Sequence, residues 1–262
     1  MKYFWILFIA IVACQPQNTE NNEISDPYLL DPNPAGETFN MRDSDSTAIA
    51  IADQVMEAMG GRKKWDQTRF IKWNFFGNRD LIWDKLQNRV RIESPRDTTV
   101  YLVNTDDKSG KVFKNEQEIT DPEKLKTLLE KGYSIWINDS YWLVMPFKLK
   151  DSGVTLNFVG EDTTKMGVPS YVLQLKFENV GVTPQNKYKV WVDKSDSLIK
   201  QWAFYKEATQ DTASAIWPWD NYKSFDGLLL SGDRSDNSGP RIVSVPDSIS
   251  DQGFEKLEIE LN

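Results

Sequence analysis

Cys14 is the single cysteine of this 262-residue chain, and the chain contains no histidine. Ser-His-Asp and Cys-His catalysis are therefore impossible, as are His-ligated metal sites, thiolate metal sites and disulfides within the chain. Carboxylate chemistry is the remaining route to catalysis or to metal binding. These absences favour a protein that is not an enzyme and that needs no cofactor or metal.

The segment before Cys14 indicates what its thiol is for. Lys2 gives a basic start, residues 3–13 carry no charge, and Ile11, Ala13 and Cys14 have the pattern of a lipobox. Eleven apolar residues are too few to span a bilayer but suit a secretory signal. We expect cleavage after residue 13 and acylation of Cys14 with two or three palmitate-like chains, because one chain alone anchors only marginally. The alternative is an ordinary secretion signal with a chance cysteine.

Pairs of carboxylates recur along the chain, but their surroundings argue against chemistry. Asp106–Asp107, Asp193 with Asp196, and Asp233 with Asp236 all stand among Ser, Gly, Asn and Lys. General acid and base catalysis needs two carboxyl groups held across a cleft in unlike environments. Such sequence is typical of solvated turns, and neither of the last two pairs completes a calcium-loop pattern.

The charge of the chain limits its partners. It has 31 basic and 39 acidic residues, a net charge of −8 that becomes −9 when Lys2 leaves with the signal. An acidic surface lacks the positive face that nucleic acid requires. Apart from residues 3–13 the chain has no long apolar run, so the lipid anchor is the expected membrane contact. We expect a monomer in the bacterial cell envelope, anchored to the outer membrane.

The composition divides the chain into three parts. Residues 1–13 form the signal, residues 14–46 are polar and contain proline, and residues 47–262 have the patterns of one folded β domain. Polar segments of this kind do not offset their ordering entropy, so residues 14–46 are predicted to be a flexible tether.

Two helices are predicted in the folded part. Apolar residues recur at helical spacing over residues 48–59, and Gly60 and Gly61 end that pattern. The second helix covers residues 121–131, with Asp121 as the N-cap and Gly132 as the stop. The apolar segment 135–149 is predicted to be buried, but its pattern does not distinguish helix from strand.

Alternating apolar and polar residues separated by turn sequences predict an antiparallel meander. The predicted strands cover residues 70–76, 81–83, 89–93, 99–103, 154–159, 170–177, 188–193, 198–205, 228–230 and 242–245.

Two short motifs resemble the LolA/LolB-like superfamily of lipoprotein carriers and related envelope lipoproteins. The first is a helix that ends in Gly60-Gly61 with Trp65 close behind, and the second is the hairpin formed by residues 187–193 and 198–202. The resemblance implies an open, curved antiparallel β-barrel covered by helices. It also implies an apolar cavity between sheet and helices that takes acyl chains of lipids or lipoproteins.

The apolar faces of three predicted strands are the candidate lining of that cavity. Alternation alone does not say which face points inward, and a filled core is the competing interpretation. The candidate ligand-binding residues are Trp73, Phe75, Val90, Ile92, Tyr171, Leu173, Leu175 and Phe177.

The segment 217–222 supports a second functional hypothesis. Trp217, Trp219 and Tyr222 stand beside Asp and Asn, a combination that can stack on sugar rings and bind their hydroxyls. The alternative function is therefore a glycan-binding or structural envelope module. In the competing structural interpretation, Trp217 and Trp219 close one end of the barrel. The leading hypothesis remains a membrane-anchored protein that binds or carries an acyl chain or another apolar ligand.

Overall fold

The computed structural model describes residues 26–178 and 185–258. The predicted signal segment, Cys14 and residues 15–25 of the predicted tether lie outside these ranges. Lipidation of Cys14 therefore stays a prediction.

Three α-helices are described: α1 (Ser46–Ala58), α2 (Arg62–Gln67) and α3 (Pro122–Val144). The α1 helix buries most of the apolar face that its spacing predicts, and Gly60, whose φ is +109°, follows shortly after its last residue. A Cβ atom on Gly60 would lie 2.3 Å from the carbonyl oxygen of Gly227, so only glycine fits there. None of the described helices is both long and apolar enough to cross a lipid bilayer.

The α3 helix is longer than predicted. It begins as expected, because the Asp121 carboxylate accepts a hydrogen bond from the Lys124 backbone N–H at 2.8 Å. It then continues through Gly132, so the prediction of a stop at that residue is wrong. A Cβ atom at Gly132 would lie 3.0 Å from Tyr101 and Val103 side-chain atoms, so glycine serves here to let the helix approach the sheet. The segment whose type was open is helical to Val144, and a 3₁₀ turn follows it.

Two antiparallel sheets and a separate hairpin form the β structure. The first sheet contains β1 (Phe70–Phe75), β2 (Arg79–Asp84), β3 (Arg89–Ser94), β4 (Thr99–Asn104), β5 (Gly110–Lys114), β6 (Gln117–Glu118) and β14 (Pro240–Ser244). The second sheet contains β7 (Val154–Thr163), β8 (Pro169–Phe177), β9 (Lys187–Asp193), β10 (Ile199–Tyr205) and β11 (Ala215–Pro218). The hairpin contains β12 (Tyr222–Phe225) and β13 (Leu228–Ser231). The seven-stranded first sheet has the order β14-β1-β2-β3-β4-β5-β6, the five-stranded second sheet has the order β11-β10-β9-β8-β7, and β12 pairs with β13.

One hydrophobic core joins α1, α3 and the inner faces of both sheets. Trp73 and Trp202 are among its largest fully buried side chains, one from each sheet. Both sheets are open rather than closed into a barrel. The predicted fold class, mainly antiparallel β with a few covering helices, is confirmed.

Much of the predicted tether packs on the domain instead of extending away from it. The backbone N–H groups of Asn40 and Asp45 donate to the carbonyls of Val154 and Leu156 on β7, at 3.0 and 2.9 Å. Phe39 is also buried in the core. These contacts offset the ordering entropy that the composition alone leaves unopposed. A flexible tether stays a prediction only for the residues before Asp26.

Candidate functional site

The eight residues predicted to line a cavity all point into the protein. Six of them are buried in the core, and Tyr171 and Phe177 are half-buried against it. Their faces are thus the inner ones, and all eight side chains belong to the hydrophobic core or pack against it. Their role in ligand binding stays a prediction. The buried six are Trp73 and Phe75 of β1, Val90 and Ile92 of β3, and Leu173 and Leu175 of β8.

A cluster of aromatic rings lies between the C-terminal half of α3 and the second sheet. We call it the aromatic seam and define it as Tyr141, Trp142, Tyr188, Trp202 and Trp217. Trp142 packs edge-on against both Trp202 and Trp217, each with centroids 4.6 Å apart, and Tyr141 lies 5.4 Å from Tyr188. Ring pairs at such distances and angles are favourable beyond the area that they bury. The seam is therefore what holds the end of α3 on the second sheet.

Trp142 also contacts the first sheet. Its ring lies 5.2 Å from that of Phe76 and 6.1 Å from that of Phe75, both nearly perpendicular to it. One side chain of α3 thus bridges the inner faces of the two sheets. A movement of this part of α3 would uncover apolar surface on both of them.

Several hydrogen-bond donors in and beside the seam are buried without an acceptor. The Tyr141 hydroxyl, Trp202 Nε1 and Trp219 Nε1 have no hydrogen-bond partner in the described part of the chain. Burial also raises the pKa of Tyr141 well above its ordinary value, so its hydroxyl keeps its proton at neutral pH. An unpaired buried donor is unfavourable by about 1–3 kcal/mol. The seam thus combines apolar ring faces with donors that an acceptor oxygen would satisfy.

A buried guanidinium marks one end of the seam. Arg234 is 2% exposed, and its guanidinium carbon lies 3.8 Å from the centroid of the Trp219 ring. Its Nη2 donates to the Trp142 carbonyl and its Nε to Ser231 Oγ, whereas Nη1 has no partner among the described residues. Burial lowers its pKa to about 9, so the group remains a cation at neutral pH. Arg234 thus places a positive charge next to the backbone of α3.

An ion pair holds the other side of α3 to the first sheet. Arg79 of β2 donates to both carboxylate oxygens of Asp139, at 2.7 and 2.9 Å, and Asn138 Nδ2 donates to the same carboxylate at 2.9 Å. The guanidinium also lies 5.2 Å from the ring centroid of Phe75. Burial raises the pKa of Asp139, and the hydrogen bond from Arg79 acts against that rise. The pair fixes where α3 crosses the first sheet.

The residues proposed for glycan binding do not form an exposed platform. Trp219 is fully buried beneath Arg234, and the Tyr222 hydroxyl donates to the Ile199 carbonyl at 2.8 Å. Trp217 is half-buried and stacks on Trp202. The structure therefore does not favour the glycan-binding hypothesis. The arrangement agrees instead with the interpretation in which these rings close one end of the fold.

Sequence reasoning missed the residues that hold the seam together. Tyr141 and Trp142 lie in the segment whose type was open, and continuing the helical spacing past Gly132 would have placed both on α3. Tyr188 and Trp202 belong to predicted strands but were not selected as site residues. Nothing in the local sequence around Arg234 indicates that its side chain is buried, because Asp and Ser surround it.

The acidic pairs do not form a metal site in the described part of the chain. Among residues 26–178 and 185–258, no group of three or more carboxylates is placed to hold a metal ion. Two concave sites, of about 320 and 240 Å³, lie on the outer face of the first sheet. The larger one borders the C-terminal 3₁₀ turn Asp251–Phe254 and is lined by Arg89, Lys111 and Phe254, among others.

No family model matches the sequence, and no curated protein matches it. Several solved structures resemble the chain, among them the following three, all at low identity. A DUF1329 family protein from Desulfovibrio piger is 16% identical with a TM-score of 0.44, and the match covers 79% of this chain and 97% of that one. A putative outer membrane lipoprotein-sorting protein domain from Vibrio parahaemolyticus is 10% identical with a TM-score of 0.40, covering 79% and 96%.

The third match is a LolA superfamily protein from Nitrosomonas europaea, 10% identical with a TM-score of 0.33, covering 78% of this chain and 97% of that one.

Proposed function

We propose that this chain is a lipid-anchored protein of the bacterial envelope that binds an amphipathic ligand with an acyl chain in the aromatic seam. The observation that carries the proposal is the coexistence of half-buried ring faces with unpaired donors. Tyr141, Trp142 and Trp217 are half-buried, and the Tyr141 hydroxyl and Trp202 Nε1 lack acceptors. An acyl chain fits the rings, and the ester or carboxylate oxygens of its head fit the donors.

The energetics favour such a ligand over a purely apolar one. Burying an acyl chain against ring faces is favourable by about 25 cal/mol per Å² of apolar surface. Each donor that gains an acceptor also removes a penalty of about 1–3 kcal/mol. Arg234 lies beside the same helix, and its Nη1 has no partner among the described residues, which supports a polar head with an acceptor oxygen. Asp220 and Asp236 already act on the positive charge of Arg234.

Binding in the aromatic seam requires that α3 move, because the ring of Trp142 is in direct contact with those of Trp202 and Trp217. Rings at 4.6 Å leave no room for a chain between Trp142 and Trp202. The C-terminal half of α3 is the element to displace, because it carries Trp142. Its displacement breaks the Arg79–Asp139 ion pair and the hydrogen bond from Arg234 to the Trp142 carbonyl. The ligand then replaces the contacts that Trp142 makes with both sheets. A ligand can shift this equilibrium only by its preference for the opened form.

The location follows from Cys14. Acylation there would anchor the protein in the outer membrane and keep the seam near a supply of lipids and acylated proteins. Two of the similar structures are described as a lipoprotein-sorting domain and a LolA superfamily protein. Lipoprotein acyl chains are accordingly one ligand source to test beside free lipids.

The first experiment asks whether purified protein carries or takes up such a ligand. Native mass spectrometry of mature protein from membranes, with lipid extraction, should reveal a bound acyl species beyond the anchor itself. Titration of delipidated protein with lysophospholipid should then change tryptophan fluorescence in a saturable way. No co-purified lipid and no saturable change would contradict the proposal.

Matched tryptophan variants locate the site. Trp202→Phe removes a seam donor and part of its ring, and it should weaken lysophospholipid binding several-fold. Trp191→Phe is the control, because Trp191 lies in a separate cluster of the same sheet and its Nε1 donates to Asp162 at 3.1 Å. Equal effects of the two substitutions on binding would place the ligand somewhere other than the seam.

A further inference from the structure

Two adjacent leucines are held on the surface close to where the described chain begins. Leu29 ends the 3₁₀ turn Pro27–Leu29 and is 79% exposed, and Leu30 follows at 87%. Leucine side chains of such exposure side by side are unfavourable in water. These two side chains therefore form a surface that contact with an apolar partner would stabilise.

These leucines are fixed to the domain and do not belong to a loose arm. The Tyr28 hydroxyl donates to Asp66 Oδ2 of α2 at 2.7 Å, and Asp26 forms an ion pair with Lys63 of the same helix. A contact just before the turn and one within it thus set its position on α2. The direction in which the leucines project is a property of the folded domain.

A third exposed leucine comes to the same end of the molecule. Leu86, 59% exposed, lies in the turn between β2 and β3 directly after Lys85. The Lys85 ammonium donates to the Trp65 carbonyl of α2 and lies 3.4 Å from the centroid of that ring. We call the surface formed by Leu29, Leu30, Leu86 and α2 the α2 end.

The position of the predicted lipid anchor in the sequence indicates that the partner of the α2 end is the lipid bilayer. Residues 15–25 separate Cys14 from Asp26, and even fully extended they would span at most about 40 Å. An acylated Cys14 would therefore hold the α2 end close to the bilayer at a high effective concentration.

We infer that the α2 end is the membrane-contacting surface of the domain, with Leu29, Leu30 and Leu86 entering the interfacial region of the lipid leaflet that holds the anchor. This inference rests on the lipid anchorage in the proposed function, but not on ligand binding in the seam. It gives the domain one defined orientation on the membrane.

Fluorescent labelling of single cysteines tests this orientation. Cys14 is the only native cysteine, so acylation leaves an engineered cysteine as the one free thiol. Leu30→Cys and Leu86→Cys carry an environment-sensitive dye in full-length lipidated protein, reconstituted into phosphatidylethanolamine and phosphatidylglycerol vesicles. Met166→Cys is the matched control, since Met166 is 68% exposed in the turn between β7 and β8.

The expected result is a blue-shifted emission at positions 30 and 86, with quenching by spin-labelled lipids, and a water-like emission at position 166. Equal responses at positions 30 and 166 would overturn the inference. Mass spectrometry of the N-terminal peptide keeps the two proposals apart. An unmodified Cys14 would contradict the anchorage itself, whereas an acylated Cys14 with a water-like dye at position 30 would contradict only the orientation.

Discussion

The ion pair between Arg79 and Asp139 gives the sharpest stability prediction, because its two partners differ in exposure. The Asp139 side chain is fully buried, whereas the Arg79 side chain is 25% exposed. Removing the arginine leaves a buried carboxylate whose main remaining donor is Asn138. Removing the charge on the aspartate leaves a guanidinium that water still reaches.

The two single substitutions should therefore have unequal effects. Arg79→Met should lower the free energy of unfolding at pH 8 by about 3–5 kcal/mol, the range for breaking a buried pair from one side. Asp139→Asn keeps the shape of the side chain and should lower it by about 1–2 kcal/mol, through the loss of charge-assisted hydrogen bonds.

The pH dependence supplies an independent check. Burial raises the pKa of Asp139, and removing Arg79 takes away the group that opposes this rise. The folded state of Arg79→Met then binds a proton at a higher pH than the unfolded chain, whose aspartates titrate near 3.9. The stability deficit of Arg79→Met relative to the wild type should thus shrink as the pH falls from 8 towards 5. This deficit should be largest above the raised pKa of Asp139.

Urea unfolding followed by tryptophan fluorescence and circular dichroism at pH 8 and pH 5 measures both effects. Asp139→Asn serves as the control, because it has no carboxyl group at this position and its deficit should not shrink as the pH falls. The reasoning is refuted if Asp139→Asn is the more destabilising variant, or if the deficit of Arg79→Met is the same at the two pH values.

Three further predictions concern other positions. Gly132→Ala should lower stability by about 1 kcal/mol in urea unfolding. The added methyl group crowds Tyr101 and Val103 at 3.0 Å, and this cost outweighs the gain of about 1 kcal/mol in helix propensity. A more stable variant would contradict the close packing. Asp121→Ala should lower stability by about 1 kcal/mol through loss of the N-cap, without changing lysophospholipid affinity. Burial lowers the pKa of Lys85 from 10.5 to about 7, so its contribution to stability rises with pH across that window, and Lys85→Met should remove this rise.

The sequence predicted the local structure where short-range patterns decide it. The alternation along β8 and β9 identifies both strands, and the Gly60-Gly61 pair ends α1 where its apolar spacing stops. Asp121 begins α3 because its carboxylate bonds the N–H group three residues on, a contact that depends only on nearby residues. These elements also indicated an open antiparallel fold.

Tertiary contacts decided the rest. Gly132 looks like a helix stop, but close packing against Tyr101 makes it an interior residue of α3. Residues 26–45 look like part of a tether, but hydrogen bonds from Asn40 and Asp45 to β7 hold them on the domain. In each case the contact that decides the structure is with a residue distant in sequence, and local composition does not predict such a contact.

The candidate site shows the same division. Alternation identified the apolar faces of β1 and β8, and both do point inward. The site that the structure favours depends on Trp142 meeting Trp202 and Trp217, which requires the course of α3 across two sheets. The buried position of Arg234 likewise follows from Trp219 and the Trp142 carbonyl, which are neighbours only in the folded protein.

Photo-crosslinking with an acyl probe tests the central claim most directly. A lysophospholipid with a diazirine near the end of its chain is bound to the mature protein and activated, and the modified peptides are identified by mass spectrometry. Ligand binding in the aromatic seam predicts crosslinks in the C-terminal half of α3 and in β9 and β10, around Trp142, Tyr188 and Trp202. Competition with unlabelled lipid should remove these crosslinks. Crosslinks confined to the outer face of the first sheet, or none that unlabelled lipid displaces, would contradict it.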